Sequence, residues 1–233
     1  TAPTTLILGD ATGLSSQLAD RLCRTGTSAA LVSDADFPFE GAATIPRQDA
    51  TSYDDLLRQA MAGDKETSES SSTPILDHIV YAWPLNHVRE PQSAAQMVAA
   101  TQHASEGLLL LCQALLRGQW TKLPTITVVT SGAAAPPGVT GETSRAEVAY
   151  WQSGVWGMAK SITFEHPELK LRLVDMPALP AERDYDAYRR AAALLAAELK
   201  RADKESAVAL RGSQRLLPRL ASVGSGRRHQ PVQ

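Results

Sequence analysis

The sequence is poor in several features that would define a protein class. Aromatic residues make up 5% of its 233 residues, only two cysteines occur, and the longest leucine run spans residues 108–111. A run that short cannot cross a bilayer, and no signal peptide pattern is recognisable. We therefore expect a cytoplasmic protein without a membrane partner.

Both cysteines, Cys23 and Cys112, lie within apolar patterns of helical spacing. Free cysteines in such positions are usually buried, and a reducing compartment keeps them as thiols. The sequence therefore predicts two buried free thiols and no disulfide.

No large excess of positive charge occurs either. The net charge is -2, so a nucleic-acid partner, which needs a concentrated basic face, is not expected. A locally basic stretch lies near the end, where no aromatic residues are interleaved: Arg211, Arg215, Arg219, Arg227 and Arg228. We interpret it as a solvated end or linker. An alternative is that residues 215–228 form a basic docking patch.

The first half of the chain opens with a recurrent α/β pattern. A short apolar run ends at Gly9, a helical pattern runs from Gly13 to Gly26, and a second strand, Ser28–Ser33, ends at Asp34. Strand, glycine turn, helix, strand and acidic residue is the typical opening of a doubly wound sheet.

Strands and helices then alternate to the end of the chain. We predict strands over 42–45, 75–83, 124–130, 171–175 and 207–210, helices over 53–62, 93–117, 147–165 and 184–201, and loops over 64–73 and 131–143. A turn at Gly212 leads into a hairpin over 214–219. The pattern predicts an α/β fold in three layers, with a mainly parallel sheet in a single domain over 1–221 and a linker over 222–233.

The glycine turn departs from what a nucleotide site needs. The segment from Gly9 to Ser15 holds Gly9 and Gly13, but Ser15 replaces the third glycine of a G-x-x-x-G-x-G turn. Asp10 places a carboxylate where a pyrophosphate would lie, and the two would repel each other. We interpret Gly9 and Gly13 as a degenerate remnant and predict no cofactor-binding residue in this chain.

At the end of the second strand, Asp34 would favour a ribose hydroxyl over a 2′-phosphate if a nucleotide bound there. No arginine adjoins it in the sequence. We interpret it instead as a solvent-exposed loop acid.

Reduction of a carbonyl by a fold of this kind requires a Tyr-x-x-x-Lys pair, in which lysine lowers the tyrosine pKa. Ser131 ends the strand where a catalytic serine would lie, but Tyr150 is followed four residues later by Gly154. Gln152 matches the tyrosine position better, and Trp156 then occupies the lysine position, while Lys160 lies further along the helix. The sequence therefore predicts no catalytic residue.

Other types of site have no better support. The five histidines are scattered without metal-ligand spacing: His78, His87, His103, His166 and His229. His103 and Glu106 share a helix face, which we interpret as a surface pair, so no metal site is predicted. Ser131 lies outside any G-x-S-x-G nucleophile motif.

We expect the four tryptophans, Trp83, Trp120, Trp151 and Trp156, to lie in the core or an interface.

The later motifs resemble a known family. The segment QSGVWGMAKSITFEHPEL over 152–169, the strand segment TVVTSGAA over 127–134, and the closing VALRGSQRLLPR over 208–219 are similar to the N-terminal, structural half of ketoreductase domains in modular polyketide synthases. Met158, Ala159 and Lys160 depart from the usual Leu-Gly-Arg of that family.

The resemblance implies a truncated Rossmann-like fold of the short-chain dehydrogenase type that binds no cofactor and packs against a catalytic half. That half would supply NADPH binding and the catalytic residues. A pseudo-ketoreductase, retained as scaffolding, is a related possibility. Neighbouring synthase domains, such as a methyltransferase, dehydratase or enoylreductase, are alternative partners. An acyl carrier protein docking at the basic patch over 215–228 is a further alternative. We expect the partner surface to include the helix carrying Val155 and Trp156, because its glycines permit close approach.

The resemblance therefore implies a non-catalytic scaffold that is no enzyme by itself. The alternative from a different class is an NADPH-dependent reductase of carrier-bound β-keto thioesters that uses Ser131 and Tyr150.

Overall fold

A computed structural model describes residues 4–62, 76–87, 90–134, 149–180, 184–203 and 205–219. Within these ranges, strands and helices alternate as the sequence predicts. The strands are β1 (Thr4–Leu8), β2 (Ser28–Asp34), β3 (Ala43–Ile45), β4 (Leu76–Tyr81), β5 (Thr125–Ser131), β6 (Leu171–Met176), β7 (Ala207–Arg211) and β8 (Gln214–Leu216). The helices are α1 (Leu14–Arg24), α2 (Ala50–Ala62), α3 (Ala94–Arg117), α4 (Tyr150–Glu165) and α5 (Tyr185–Leu199), with a short 3-10 helix over Trp83–His87.

The eight strands form one sheet in the order β3-β2-β1-β4-β5-β6-β7-β8. Every neighbouring pair is parallel except β7 and β8, which form the predicted C-terminal hairpin. The chain reverses its direction across the sheet between β1 and β4. Their carboxyl ends define the position where open α/β sheets usually bind ligands. The Rossmann-like, short-chain dehydrogenase-type fold is confirmed.

Helices cover both faces of the sheet. The core on one face joins α1 and α5 to apolar residues such as Ile7 and Val174. The core on the other face joins α2, α3 and α4 to residues such as Leu8 and Val128. Helix α5 therefore connects β6 to β7 on the face opposite α3 and α4, although the chain steps across the sheet in the same direction. This last crossover has the opposite hand, an exception to the usual rule.

Local sequence signals determine several helix ends. Ser93 and Asp184 cap α3 and α5, because each side chain accepts a backbone N–H three residues later, from Gln96 and Ala187 respectively. Gly26 follows α1 with a φ of 81°, the left-handed conformation that favours glycine after a helix.

Some predicted boundaries and environments need correction. Helix α4 begins at Tyr150; the predicted start at residue 147, the loop over 64–73, most of the loop over 131–143 and the linker over 222–233 lie outside the described residues. Cys112 is buried as predicted, and burial raises its pKa to about 12. Cys23 is exposed, because it lies on the outer face of α1, away from Leu18 and Leu22.

The four tryptophans contact the cores as predicted: Trp83 and Trp151 are buried, while Trp120 and Trp156 pack partly buried against the core that contains α3 and α4. Among the helices described, none combines the length and the apolar character that a membrane span requires.

Candidate functional site

The β1–α1 turn is organised around the carboxylate of Asp10. Its Oδ2 accepts the backbone N–H groups of Thr12 and Gly13, each at 3.1 Å, and its Oδ1 accepts that of Ser15 at 3.0 Å. The hydroxyls of Thr12 and Ser15 also donate to this carboxylate. The side chain is fully buried. An internal anion thus uses the amides with which a helix N-terminus would bind a phosphate.

The two remnant glycines shape this turn. Gly13 has a φ of 121°, which L side chains rarely adopt. A Cβ at Gly9 would lie 2.8 Å from Ser15 Cβ and 3.0 Å from Phe39 Cζ. The space beside Gly9, which a ligand would approach in a nucleotide-binding turn, is filled by the protein's own side chains.

Asp34 is buried, which corrects its interpretation as an exposed acid. His103 Nε2 lies 2.6 Å from Asp34 Oδ2, and Arg47 Nε lies 3.2 Å from the same oxygen. Burial raises the pKa of Asp34, but the hydrogen bond from His103, followed by backbone and charge contributions, lowers it overall. Asp34 therefore has two cationic or hydrogen-bonding partners inside the fold.

His103 and Glu106 are also not a surface pair. His103 is buried and contacts Asp34, and Arg47 links Asp34 to Glu106 by contacting both carboxylates. The arginine that the sequence does not place beside Asp34 comes from the segment after β3. Its backbone carbonyl also accepts the hydroxyl of Tyr53 at 2.8 Å.

An aromatic cluster covers the carboxyl end of β4. The ring centroids of His87 and His103 are 4.7 Å apart, and Phe37 packs edge-on against both rings. Burial, with a smaller contribution from His103, lowers the pKa of His87 to about 4, so the ring is neutral at pH 7. In the described part of the chain, no group of three metal-ligating side chains converges.

Ser131 and Gln152 form a second closed arrangement. The Ser131 hydroxyl donates to the carbonyl of Pro177 at 3.1 Å and accepts the N–H of Leu179 at 2.9 Å. Gln152 Oε1 accepts the Ser131 N–H at 3.0 Å, and its Nε2 donates to the carbonyl of His87 at 3.1 Å. Gln152 is fully buried. These two residues connect β5, α4 and the segment after β4.

The other residues considered for catalysis point elsewhere. The hydroxyl of Tyr150 lies 3.5 Å from Glu90 Oε1 on the surface. Trp156 Nε1 donates to Thr130 Oγ1 at 2.9 Å, and Lys160 Nζ lies 5.9 Å from the centroid of the Trp156 ring. The structure does not bring Tyr150, Ser131 and Lys160 into one hydrogen-bonded set.

A buried ion pair beside this arrangement was missed by sequence reasoning. Asp175 at the end of β6 pairs with Arg211 at the end of β7, and both are buried. The carboxylate also accepts the N–H groups of Ala133 and Ala134 at 2.8 and 3.0 Å, and the Thr130 hydroxyl at 2.6 Å. It therefore holds the start of the connection between β5 and α4 against β6 and β7.

The basic stretch near the end is not solvated throughout. Arg211 is buried, and Arg215 Nε lies 2.9 Å from Glu198 Oε2, beside a further contact between Glu198 and Arg172. Arg219 pairs with Glu205 at 2.7 Å, while Arg227 and Arg228 lie outside the described residues. The interpretation as a solvated end is wrong for Arg211 and Arg215, because both are paired with buried carboxylates.

Residues 26–220 match a sequence family described as the Rossmann fold domain of the polyketide synthase extender module SpnB. The chain belongs to this family. It is thus a ketoreductase-like Rossmann domain of a polyketide synthase module, as the resemblance implied. No curated protein matches the sequence.

Solved structures share the fold of this polyketide synthase domain. One is an adenylation, ketoreductase and pseudo Asub multidomain structure of a keto acid-selecting NRPS module, at a TM-score of 0.68 and 18% identity over 96% of this chain and 17% of that one. Another is a C2-type ketoreductase from a modular polyketide synthase, at 0.56 and 21% over 93% of this chain and 39% of that one.

A third is an alcohol dehydrogenase from the archaeon Thermococcus sibiricus complexed with 5-hydroxy-NADP, at 0.56 and 12% over 91% and 97% of the two chains. At these identities the three similarities establish the fold. The domain spans only a minor part of the two synthase chains.

Proposed function

We propose that this domain is a non-catalytic scaffold of a polyketide synthase module, working in the cytoplasm. It packs against and stabilises a ketoreductase catalytic half or neighbouring synthase domains. It binds no NADPH and is no enzyme by itself; the cofactor belongs to the catalytic half where one follows. The domain extends to about residue 221, and the family match through residue 220 supports that boundary.

The hydrogen bonding of Ser131 and Gln152 carries this proposal. A catalytic serine and tyrosine must present hydroxyls to a substrate carbonyl. Here the Ser131 hydroxyl is engaged by Pro177 and Leu179, and the best-matching tyrosine position holds Gln152, which is buried and cannot act as an acid. These polar groups therefore serve the fold.

The β1–α1 turn supports the same conclusion. A pyrophosphate there would have to displace the Asp10 carboxylate from three backbone N–H groups and would meet its charge. The cofactor's ribose would have to compete with His103 and Arg47 for Asp34. Both positions where a nucleotide would need partners are already internally satisfied.

The alternatives have weaker support. A reductase using Tyr150 would need a lysine beside the tyrosine hydroxyl, but the described partner of that hydroxyl is the Glu90 carboxylate. A basic patch for docking a carrier protein has weaker support because the positive charges of Arg215 and Arg219 are offset by their ion pairs with Glu198 and Glu205.

The outer face of α3 and α4 is the surface we propose for the partner. On α3, exposed Val98, Leu109 and Leu116 are spaced 11 and 7 residues apart, which places them on one stripe. On α4, Tyr150, Gly157 and Phe164 follow a seven-residue spacing, and Phe164 is 89% exposed. Apolar side chains on the outside of adjoining helices mark an interaction surface.

Glycines give this surface its shape. A Cβ at Gly157 would meet open space, so an approaching helix could contact the backbone of α4. Gly154 instead serves packing within the domain, since a Cβ there would lie 3.1 Å from Thr101 Cγ2. Val155 is fully buried, and Trp156 is tied to Thr130. We therefore keep α4 as the helix proposed for the partner surface. The residues that would contact the partner are Tyr150, Gly157 and Phe164 instead of Val155 and Trp156.

Replacement of Phe164 by Ser tests the surface. We expect little change in the stability of the isolated domain, because the ring is exposed, and at least a tenfold loss of affinity for the catalytic half of the same synthase. The matched control is Leu194→Ser on α5, across the sheet, where a partly exposed apolar side chain is also removed. Equal effects of the two substitutions on binding would exclude the α3–α4 surface.

A further inference from the structure

A solvent-open groove of about 420 Å³ lies at the carboxyl end of β1. Its walls come from the β1–α1 turn, the first turn of α1, the β2–β3 connection and the start of α5. This is the position beside the change of strand order where open α/β sheets bind ligands. Its volume lies within the range of small-molecule sites.

Aromatic rings form much of the lining. Phe39 from the β2–β3 connection lies against Gly9 at the floor, while Tyr185 and Tyr188 from α5 contribute the opposite wall. Tyr188 is buried, with its hydroxyl bonded to the carbonyl of Pro180 at 2.8 Å, so this wall is fixed by the fold. Tyr185 is exposed at the rim and offers its ring to a ligand.

The charges in this groove are of one sign. Of the described residues that line it, the only charged ones are Asp10 and Glu40. Asp10 is hydrogen-bonded by N–H and O–H donors, and no cationic side chain among the described residues pairs with it. Those bonds also use the amides that would otherwise attract an anion. The described lining therefore offers an anion no cationic partner, and its two carboxylates favour a positive charge.

We propose that this groove binds an organic cation: an ammonium or guanidinium group on an apolar or aromatic stem. The aromatic rings contact the apolar stem and make a cation–π interaction with the charged group, and the Glu40 carboxylate forms an ion pair with it. The cation is carried either by a small molecule or by a lysine or arginine side chain of a neighbouring polypeptide. The cation site does not depend on the proposed scaffold role. NADPH titration tests the scaffold role, whereas the cationic probes below test the groove.

Three probes of one shape and different charge test the site: benzamidinium, benzamide and benzoate. The readout is the amide chemical shift of Thr12, Gly13 and Ser16 in the 233-residue protein. We expect saturable shifts with benzamidinium, weaker ones with benzamide and none with benzoate. A second comparison, N-acetylarginine amide against N-acetylnorleucine amide, separates the sources. Saturation by the arginine derivative assigns the site to a polypeptide side chain, and saturation by benzamidinium alone assigns it to a small cation.

Two substitutions localise the effect. Glu40→Gln should weaken benzamidinium binding by about three- to fivefold and leave benzamide unchanged, in line with one exposed charge contact. Tyr185→Ala should weaken both probes. Glu165→Gln, which removes an exposed carboxylate on α4, is the control and should change neither. Benzoate binding as tightly as benzamidinium, or no saturable shift with any cation, would overturn the proposal.

Discussion

Gln152 accepts a hydrogen bond from the backbone N–H of Ser131 at 3.0 Å, and its side chain is fully buried. Gln152, which the sequence matches best to the tyrosine position of a reductase, thus joins the end of β5 to the start of α4. The same Gln152 amide reaches the carbonyl of His87 at 3.1 Å, so the segment after β4 is joined as well. Two hydrogen bonds of one side chain therefore join three segments at the carboxyl edge of the sheet: the end of β5, the start of α4 and the segment after β4.

Gln152→Leu should therefore destabilise the fold. The substitution keeps the side-chain volume but leaves the buried Ser131 N–H without its acceptor, at a cost of about 2 kcal/mol. Urea unfolding followed by far-UV circular dichroism measures this change. Ser153→Ala, on the exposed side of the same helix, should change the free energy of unfolding by less than about 0.5 kcal/mol. Equal stability of Gln152→Leu and the unaltered protein would contradict the structural role of Gln152.

Asp10→Ala should destabilise the β1–α1 turn. It removes a carboxylate that accepts backbone N–H groups from Thr12, Gly13 and Ser15, so we expect a loss of about 2 kcal/mol. Asp20→Ala, which removes an exposed acid from the adjoining helix α1, is the matched control. The loss should also appear as faster amide hydrogen exchange at Gly13 and Ser15. An unchanged exchange rate there would show that the carboxylate does not hold the turn.

Arg211→Met should be among the most damaging single substitutions. It leaves the buried Asp175 carboxylate without its ion partner, a situation that costs roughly 3–5 kcal/mol. Arg219→Met removes an exposed arginine paired with Glu205, and such pairs contribute about 1 kcal/mol or less. Denaturant midpoints of the two variants make the comparison. Similar midpoints would mean that the Asp175–Arg211 pair is not a structural lock.

Acidification should begin to weaken the fold at a pH above that at which carboxylates titrate. Burial lowers the pKa of His78 to about 4, with a further contribution from Arg172, and His87 has a similar value. In the unfolded chain both residues take up protons near pH 6.5, so the unfolded state gains protons first and stability falls between about pH 6.5 and 4. Asp34, whose pKa is lowered, contributes stability that is lost only at still lower pH.

Urea midpoints measured from about pH 7 to about pH 4.5 test this expectation. His78→Gln, which can still bond Thr127, should flatten the pH dependence, whereas His166→Gln, at a half-exposed surface position, should have a much smaller effect. A flat profile in the unaltered protein would contradict the lowered pKa values of His78 and His87.

The fold was predictable because it depends on local patterns. Apolar runs such as 171–175 and periodic segments such as 93–117 place strands and helices within a few residues of their observed ends. Gly26, Ser93 and Asp184 indicate helix termini by their chemistry alone. The parallel sheet then follows from the alternation of elements.

The polar network was not predictable in the same way, because its partners are distant in sequence. Asp34 pairs with Arg47 and His103, and Asp175 pairs with Arg211. One signal was nevertheless present: Arg211 and Asp175 each end an apolar strand, where a charge is buried only if it is paired. A search for opposite charges at the same edge of adjacent strands would have identified this pair.

The absence of nucleotide binding is the central claim, and isothermal titration of NADPH into the 233-residue protein tests it most directly. An active short-chain reductase measured under the same conditions is the positive control. With Asp10 engaged in the β1–α1 turn and Asp34 held by His103 and Arg47, we predict only heats of dilution up to millimolar NADPH. Stoichiometric binding with micromolar affinity would contradict the account.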